Sequence, residues 1–293
     1  MDSSDSDGSD GGQFKGKKAL LQKEKKKEGI RAPKRSSINK QRVLVLSSRG
    51  IVHRFRHLMN DIHLLLPHSK KDSKLDSKTN LSLINELAQD NQCNNCLFFE
   101  VRKHKDLFLW MARTPNGPSV KFLVQSVHTM DELRMTGNHL KGSRPILSFD
   151  QSFDNPDAPH LQLLKEMFSQ TFGTPKTSRK IKPFVDHVLL FSVVNDVVYF
   201  RNYQIVEKTI EKQKEPETSL VEVGPRFTLS IIRIFSGSFM GSTLYENPEY
   251  ISPNTTRSDE RKEAKEKYIR RLVQKEGKAQ HKFPEDEFKD VFV

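Results

Sequence analysis

The constraint that bears hardest on this chain is that its middle runs through one pattern twice. From Arg42 the order is a short apolar strand, an amphipathic helix and three strand-like runs, the last opened by Gly117-Pro118. From Arg144 the order starts again, and Gly224-Pro225 opens its last strand. The two Gly-Pro steps lie 75 and 80 positions beyond those starts. Recurrence at that interval predicts a duplicated α/β unit, two similar halves presenting one long composite surface. Residue identity between the halves is slight, so two common patterns falling in the same order is the competing reading.

In the first half, RVLVLSS at 42–48 is a β-branched apolar run of buried-strand type. Ser47-Ser48-Arg49-Gly50 can turn the chain and cap a helix. Apolar residues at 51, 52, 55, 58, 59, 62, 65 and 66 have helical spacing, and Pro67 stops that helix. Arg49, His53, Arg56, His57 and Asn60 form its opposite, basic stripe. A polar loop (72–78) and a second helix around Leu81–Ala88 follow, then strands at 96–102, 106–113 and 118–125. Thr114-Pro115-Asn116-Gly117 is a hairpin turn signal between the last two.

The second half opens with a strand at Pro145–Phe149 and a helix at Pro159–Phe172. A basic loop, Lys176–Lys182, stands where part of a second helix would be. Strands at 187–194, 197–204 and 221–235 complete it, with the charged insert Glu207–Pro216 before the last. Alternation breaks at Ile231-Ile232, which predicts a bulge or a strand end. Residues 237–254 carry Phe239, Tyr245 and Tyr250 among Gly and Pro, and read as an extended arm too irregular for helix or strand.

Charge separates the ends from this core. Apolar residues make up 35% of the chain, below the ~45–50% usual for a globular domain on a count that also includes Gly. The deficit is concentrated in 1–42 and 257–293, which cannot bury enough apolar surface to offset ordering entropy. The expected organisation is an acidic-then-basic N-terminal arm (1–41), a core (42–256) and a charged C-terminal tail (257–293). Within the core the expected parts are a first half (42–126), a connector (127–144), a second half (145–236) and the extended arm (237–256). Residues 15–42 hold twelve Lys/Arg against Glu24 and Glu28. Of the net +12, about half falls in 1–42. Such an arm fits a polyanion, because each cation beside a phosphate releases a condensed counterion; it also serves as a nuclear address. In the tail, Glu263–Lys267 and Glu266–Arg270 have the spacing of a solvated helix.

Met1-Asp2-Ser3-Ser4-Asp5 has no basic n-region and no apolar h-region, and no apolar run reaches bilayer length. A soluble, intracellular protein is expected. Cys93 and Cys96, the only cysteines, exclude a disulfide-stapled scaffold. A structural zinc needs four Cys/His ligands, and there is no second cysteine pair. His53 and His57 have i, i+4 spacing, but Arg54-Phe55 stands where a zinc-protease helix has its Glu. There is no phosphate loop, nucleophile elbow or Rossmann glycine signature. A protein without catalytic residues, metal, cofactor or small-molecule substrate is therefore expected.

Several segments together resemble the Brix-domain family. They are LSSRG at 46–50, RHLMNDI at 56–62, LLPHSKKD at 65–72, NGPSVKFLVQSVHTMDEL at 116–133, TGNHLKGSRPILSFD at 136–150, KPFVDHV at 182–188, VEVGPRFTLSIIRIFSGSF at 221–239 and LYENPEYISPN at 244–254. The resemblance implies a two-half α/β (α+β) domain, each half similar to an aminoacyl-tRNA synthetase anticodon-binding domain. It implies a non-enzymatic, nucleolar role in maturing the large (60S) ribosomal subunit. The partners it implies are pre-ribosomal RNA and other assembly proteins. The family fingerprint, Gly224-Pro225-Arg226-Phe227, is intact; the insert at 207–216 departs from the wider pattern.

The candidate RNA contacts are Arg49, Arg54, Arg56 and His57 at the first strand-to-helix turn, Lys141, Arg144, Arg179 and Lys180 in second-half loops, and Arg226. A helix N-terminus bearing Arg suits a phosphate, whereas the same residues also fit an ordinary solvated face. Gly224, Pro225 and Phe227 read as structural, with Arg226 on the other face of the strand. Two functions stay open: a scaffold whose core binds precursor RNA, and a protein-interaction adaptor whose core does not touch RNA. An RNA-modifying or tRNA-charging enzyme has only the fold analogy behind it.

Overall fold

The computed structural model describes residues 41–76, 80–133, 137–175, 184–208 and 217–280. The first half comprises β1 (Val43–Ser47), α1 (His53–Leu65), β2 (Ser69–Lys71), α2 (Leu83–Asp90), β3 (Asn95–Arg102), β4 (Asp106–Arg113) and β5 (Ser119–His128). A short helix, α3 (Met130–Leu133), lies in the connector. The second half comprises β6 (Pro145–Phe149), a 3-10 turn (Gln151–Asp154), α4 (Pro159–Phe172), β7 (His187–Val194), β8 (Val197–Lys208), β9 (Glu217–Glu222) and β10 (Arg226–Phe235). β11 (Thr243–Glu246) and α5 (Pro253–Gln280) follow. No described helix is long and apolar enough to cross a membrane.

All the described strands join one mixed sheet in the order β2-β1-β3-β4-β5-β10-β8-β7-β6, with β9 on β8 and β11 on β10. Read inward from β1 or from β6, the two halves match. Each begins with a parallel pair, β1 with β3 and β6 with β7, because a helical crossover separates the partners. Antiparallel strands then lead to the centre, where β5 meets β10 antiparallel. Registers match as well: Val43 pairs with Asn95, and Pro145 with His187. The glycines of the two Gly-Pro steps share one backbone conformation, φ 89° at Gly117 and 87° at Gly224.

Helices α1 and α4 cover one sheet face and build a core that spans both halves. Leu58 and Ile62 of α1, with Leu164, Phe168 and Phe172 of α4, pack on Phe99, Phe122, Phe191 and Phe200. Phe168 stacks on Phe191 at 4.7 Å and lies 6.1 Å from Phe122, so one α4 side chain links strands of both halves. Burying each such side chain contributes ~1.5–3 kcal/mol. On the opposite face, α2 lays Ile84 and Ala88 over Leu44, Leu46, Cys96 and Phe98. No described helix does the same for the second half, and Ile146, at the register position of Leu44, is 47% exposed where Leu44 is fully buried. That uncovered face bears on function.

Several sequence expectations need correction. Helix α1 starts at His53, capped by the backbone of Val52; Ser48 does not cap it, but accepts the Val101 N–H at 2.9 Å. Part of the polar run after Pro67 pairs with β1 as β2. The expected strand 221–235 is two strands broken at 223–225, and Glu207 and Lys208 of the insert belong to β8. The arm 237–256 is not wholly irregular: Thr243–Glu246 pairs with β10, and α5 begins at Pro253, so residue 257 lies inside a helix rather than at a boundary. The break at Ile231-Ile232 is a register shift against β5.

Candidate nucleic-acid interface

Helix α1 buries Leu58, Met59, Ile62 and Leu65, which turns its polar side toward α3. Asp61 accepts the Met130 N–H at 3.0 Å and docks that helix. Asp131 then reaches His57 Nδ1 at 3.0 Å, and Glu132 reaches the Arg54 guanidinium at 3.2 Å. His53 and His57 face each other through their Nε2 atoms at 3.0 Å. Arg49, in the turn after β1, pairs with Asp76. Arg56 is exposed and, among the described residues, makes only a long contact, 3.5 Å, to the Ile51 carbonyl. Thus three of the four candidates here already face a carboxylate. Exposed pairs of this kind are worth ~0–1 kcal/mol and exchange readily for phosphate.

Lys141 is exposed in a turn, and the Arg144 N–H donates to the Phe184 carbonyl at 2.9 Å beside β6. Arg179 and Lys180 lie outside the described residues. Next to Lys141 the connector is fastened to β7. The Leu140 N–H donates to Asp186 at 2.6 Å, Ser143 bonds Asp186, and His187 Nδ1 lies 2.9 Å from the same carboxylate. Burial pushes Asp186 up, but the bonds from Ser143, His187 and the Leu140 N–H outweigh it and hold the group below its ordinary pKa. His139 and His187 are both held down by burial and so stay neutral near pH 7.

His139, Asp186 and His187 are close enough in space to be weighed as metal ligands. Their imidazole rings stack at 4.3 Å with planes only 14° apart. Ring lone pairs lie in the ring plane, so two parallel rings aim past a common ion rather than at it. The cluster is better described as a polar staple. Cys93 and Cys96 are buried, and burial pushes both thiols up, away from the thiolate a metal needs.

At the centre of the sheet, Phe227 enters the core and stacks on Phe200 at 4.6 Å, while Gly224 and Pro225 are buried. Arg226 turns to the uncovered face. It grips Glu222 with two bonds, Nε at 2.8 Å and Nη2 at 2.6 Å. Arg201 of β8 donates to the same carboxylate at 3.1 Å. β5 bulges beside them: Arg226 pairs with His128 and Thr228 with Gln125, leaving Ser126-Val127 opposite Phe227 alone. Ser126 takes a left-handed backbone, φ 48°. The result is an open hollow of about 350 Å³ bordered by Gln125, Ser126, His128, Tyr199, Arg201 and Arg226. Of these only Arg226 was expected from the sequence. The alternation of Tyr199, Arg201 and Tyr203 against Val198, Phe200 and Asn202 is a signal for Tyr199 and Arg201, but nothing in the sequence marks the β5 bulge that brings in Gln125, Ser126 and His128.

The family model described as the Brix domain matches residues 48–233. The chain is 50% identical over 255 residues to the ribosome biogenesis protein BRX1 of Saccharomyces cerevisiae, covering 85% of this chain and 87% of that one. It is 49% identical over 263 residues to the BRX1 homolog of Homo sapiens, covering 87% and 71%. Among solved structures, a probable ribosomal biogenesis protein from Aeropyrum pernix matches with a TM-score of 0.44 at 14% identity, over 65% of this chain and 96% of the other.

Proposed function

The chain belongs to the Brix-domain family, and from that premise we propose that it is a non-enzymatic ribosome-assembly factor for the large (60S) subunit, binding pre-ribosomal RNA and partner assembly proteins in the nucleolus. The observation that carries this reading is half identity, over most of the chain, to proteins named for ribosome biogenesis. The uncovered central face supports the RNA part. Two guanidiniums share one carboxylate there beside an aromatic ring, and phosphate contact with stacking is how unpaired RNA is held. The basic run at 15–42 supplies the long-range attraction. Conditional depletion tests the reading: free large subunits should fall relative to small ones while large-subunit precursor RNA accumulates. An unchanged ratio contradicts it.

A second reading has its own support. Arg49, Arg54 and His57 already face Asp76, Glu132 and Asp131, as they would in an adaptor whose core meets protein and leaves RNA to the charged ends.

A further inference from the structure

We propose that the hollow between β5, β8 and β10 holds one unpaired nucleotide of RNA, its base stacked on Tyr199 and its phosphate met by Arg201 and Arg226. The inference rests on the RNA-binding reading above and gives it a site.

The bulge makes the space. Two β5 residues stand opposite one β10 residue, Val127 and Phe227 turn into the core, and Ser126 is pushed outward in a left-handed conformation. A non-glycine residue held there is uncommon, and bulges of this kind recur beside binding sites, where they re-aim side chains. The volume, about 350 Å³, lies at the small end of the ~300–1,000 Å³ range of ligand pockets. That suits one planar group with a short polar extension and is too small for a helix.

The lining chooses the chemistry. Two guanidiniums carry ten N–H donors between them, and Glu222 takes three. One carboxylate against two cations leaves a net positive charge and spare donors, which a phosphate would use in bidentate fashion. Glu222 is thus a positioning residue, holding both forks at one height. Tyr199 pairs across the sheet with Ser192 on one side and Thr228 on the other, so small side chains flank its ring. Its hydroxyl makes no hydrogen bond to a described residue. Gln125 and Ser126 add donors and acceptors at the rim for a base edge or a 2′-hydroxyl.

The test uses the full-length protein and a single-stranded RNA of about ten nucleotides carrying 4-thiouridine. Photocrosslinks are expected on the peptides holding 125–128, 199–201 or 226–228. Tyr199→Phe, which keeps the aromatic face, should lose less affinity than Tyr199→Leu. Tyr199→Leu should weaken binding about 5- to 150-fold, the worth of one stacked base, with the salt slope unchanged. Arg201→Gln should lower the salt slope by about 0.7, the share of one phosphate of a single strand. Salt-dependent binding with no crosslink on those peptides overturns the site and leaves the RNA reading standing. Equal binding by well-folded Tyr199→Leu does the same. Absence of any RNA binding by the parent overturns both. In native particles, crosslinks from these peptides to a protein would also overturn it.

Discussion

Trp110 and Glu100 face each other across the β3–β4 hairpin, the indole Nε1–H donating to the Glu100 carboxylate at 2.8 Å. The acid is buried, 3% exposed, yet Arg102 bonds it at 2.6 Å and Lys121 lies 3.4 Å away with its ammonium over the Trp110 ring. Burial pushes Glu100 up, but Lys121, Trp110 and Arg102 outweigh it and the group sits below its ordinary pKa. Burial also pulls Lys121 down, so the pair is held together by mutual need. Glu100→Ala leaves Lys121 partly buried without a counter-charge and should cost about 3 kcal/mol in urea unfolding. Glu100→Gln keeps an acceptor for Trp110 and should cost less. Equal stability of parent and Ala variant would remove this account of the hairpin.

Asp61 should make stability fall as pH rises. Burial pushes its pKa up to about 6 from 3.8, despite the Met130 N–H. Between those values the folded chain keeps a proton that the unfolded chain has lost. Stability from this residue is therefore full below about pH 4 and declines until about pH 6. The shift of about two units corresponds to at most ~3 kcal/mol. Asp61→Asn keeps an acceptor for Met130, should flatten that slope, and should raise stability at pH 7 by about 1–3 kcal/mol. Denaturant midpoints from pH 4 to 7 read both effects.

Gly117 and Gly50 both have positive φ, 89° and 81°, but differ in what a methyl group would meet. At Gly117 a Cβ would lie 2.4 Å from the Gly237 backbone; at Gly50 it would lie 2.9 Å from the movable His104 ring. Gly50→Ala should cost about 1 kcal/mol and Gly117→Ala well above ~2 kcal/mol. Thermal melts of the two variants should rank in that order.

Removing residues 1–41 deletes eleven Lys/Arg and six acids. Single-stranded RNA binding should weaken, with the salt slope falling by ~0.7 for each phosphate that the arm had neutralised. Binding that remains belongs to the rest of the chain. A slope unchanged by the deletion would show that the arm touches no phosphate.

Local pattern foretold much of this molecule. The run at 42–48 became a strand buried on both faces, and the doubled order became a sheet whose halves meet at β5 and β10. The broken alternation at Ile231-Ile232 became a register shift. Features set by distant partners were less legible. His57 of the basic stripe meets Asp131 across 74 positions, so the stripe read as a free basic face. The split of 221–235 falls at Gly224-Pro225, which marks the break in the sequence, whereas the pairing of β9 back onto β8 depends on a distant partner. The start of α5 was legible and missed: Pro253 follows Ser252, whose hydroxyl accepts the Thr255 N–H at 3.3 Å as a helix cap. The hollow at Tyr199 needed the β5 bulge, and no residue in that stretch marks it.

The most direct test of the account is an RNA crosslinking map of the protein within native ribosome-precursor particles. The account predicts crosslinks in the core, at 125–128, 199–201 and 226–228, in addition to those from the basic arm. Crosslinks confined to 1–42 and 257–293 would contradict it and make the core a protein adaptor.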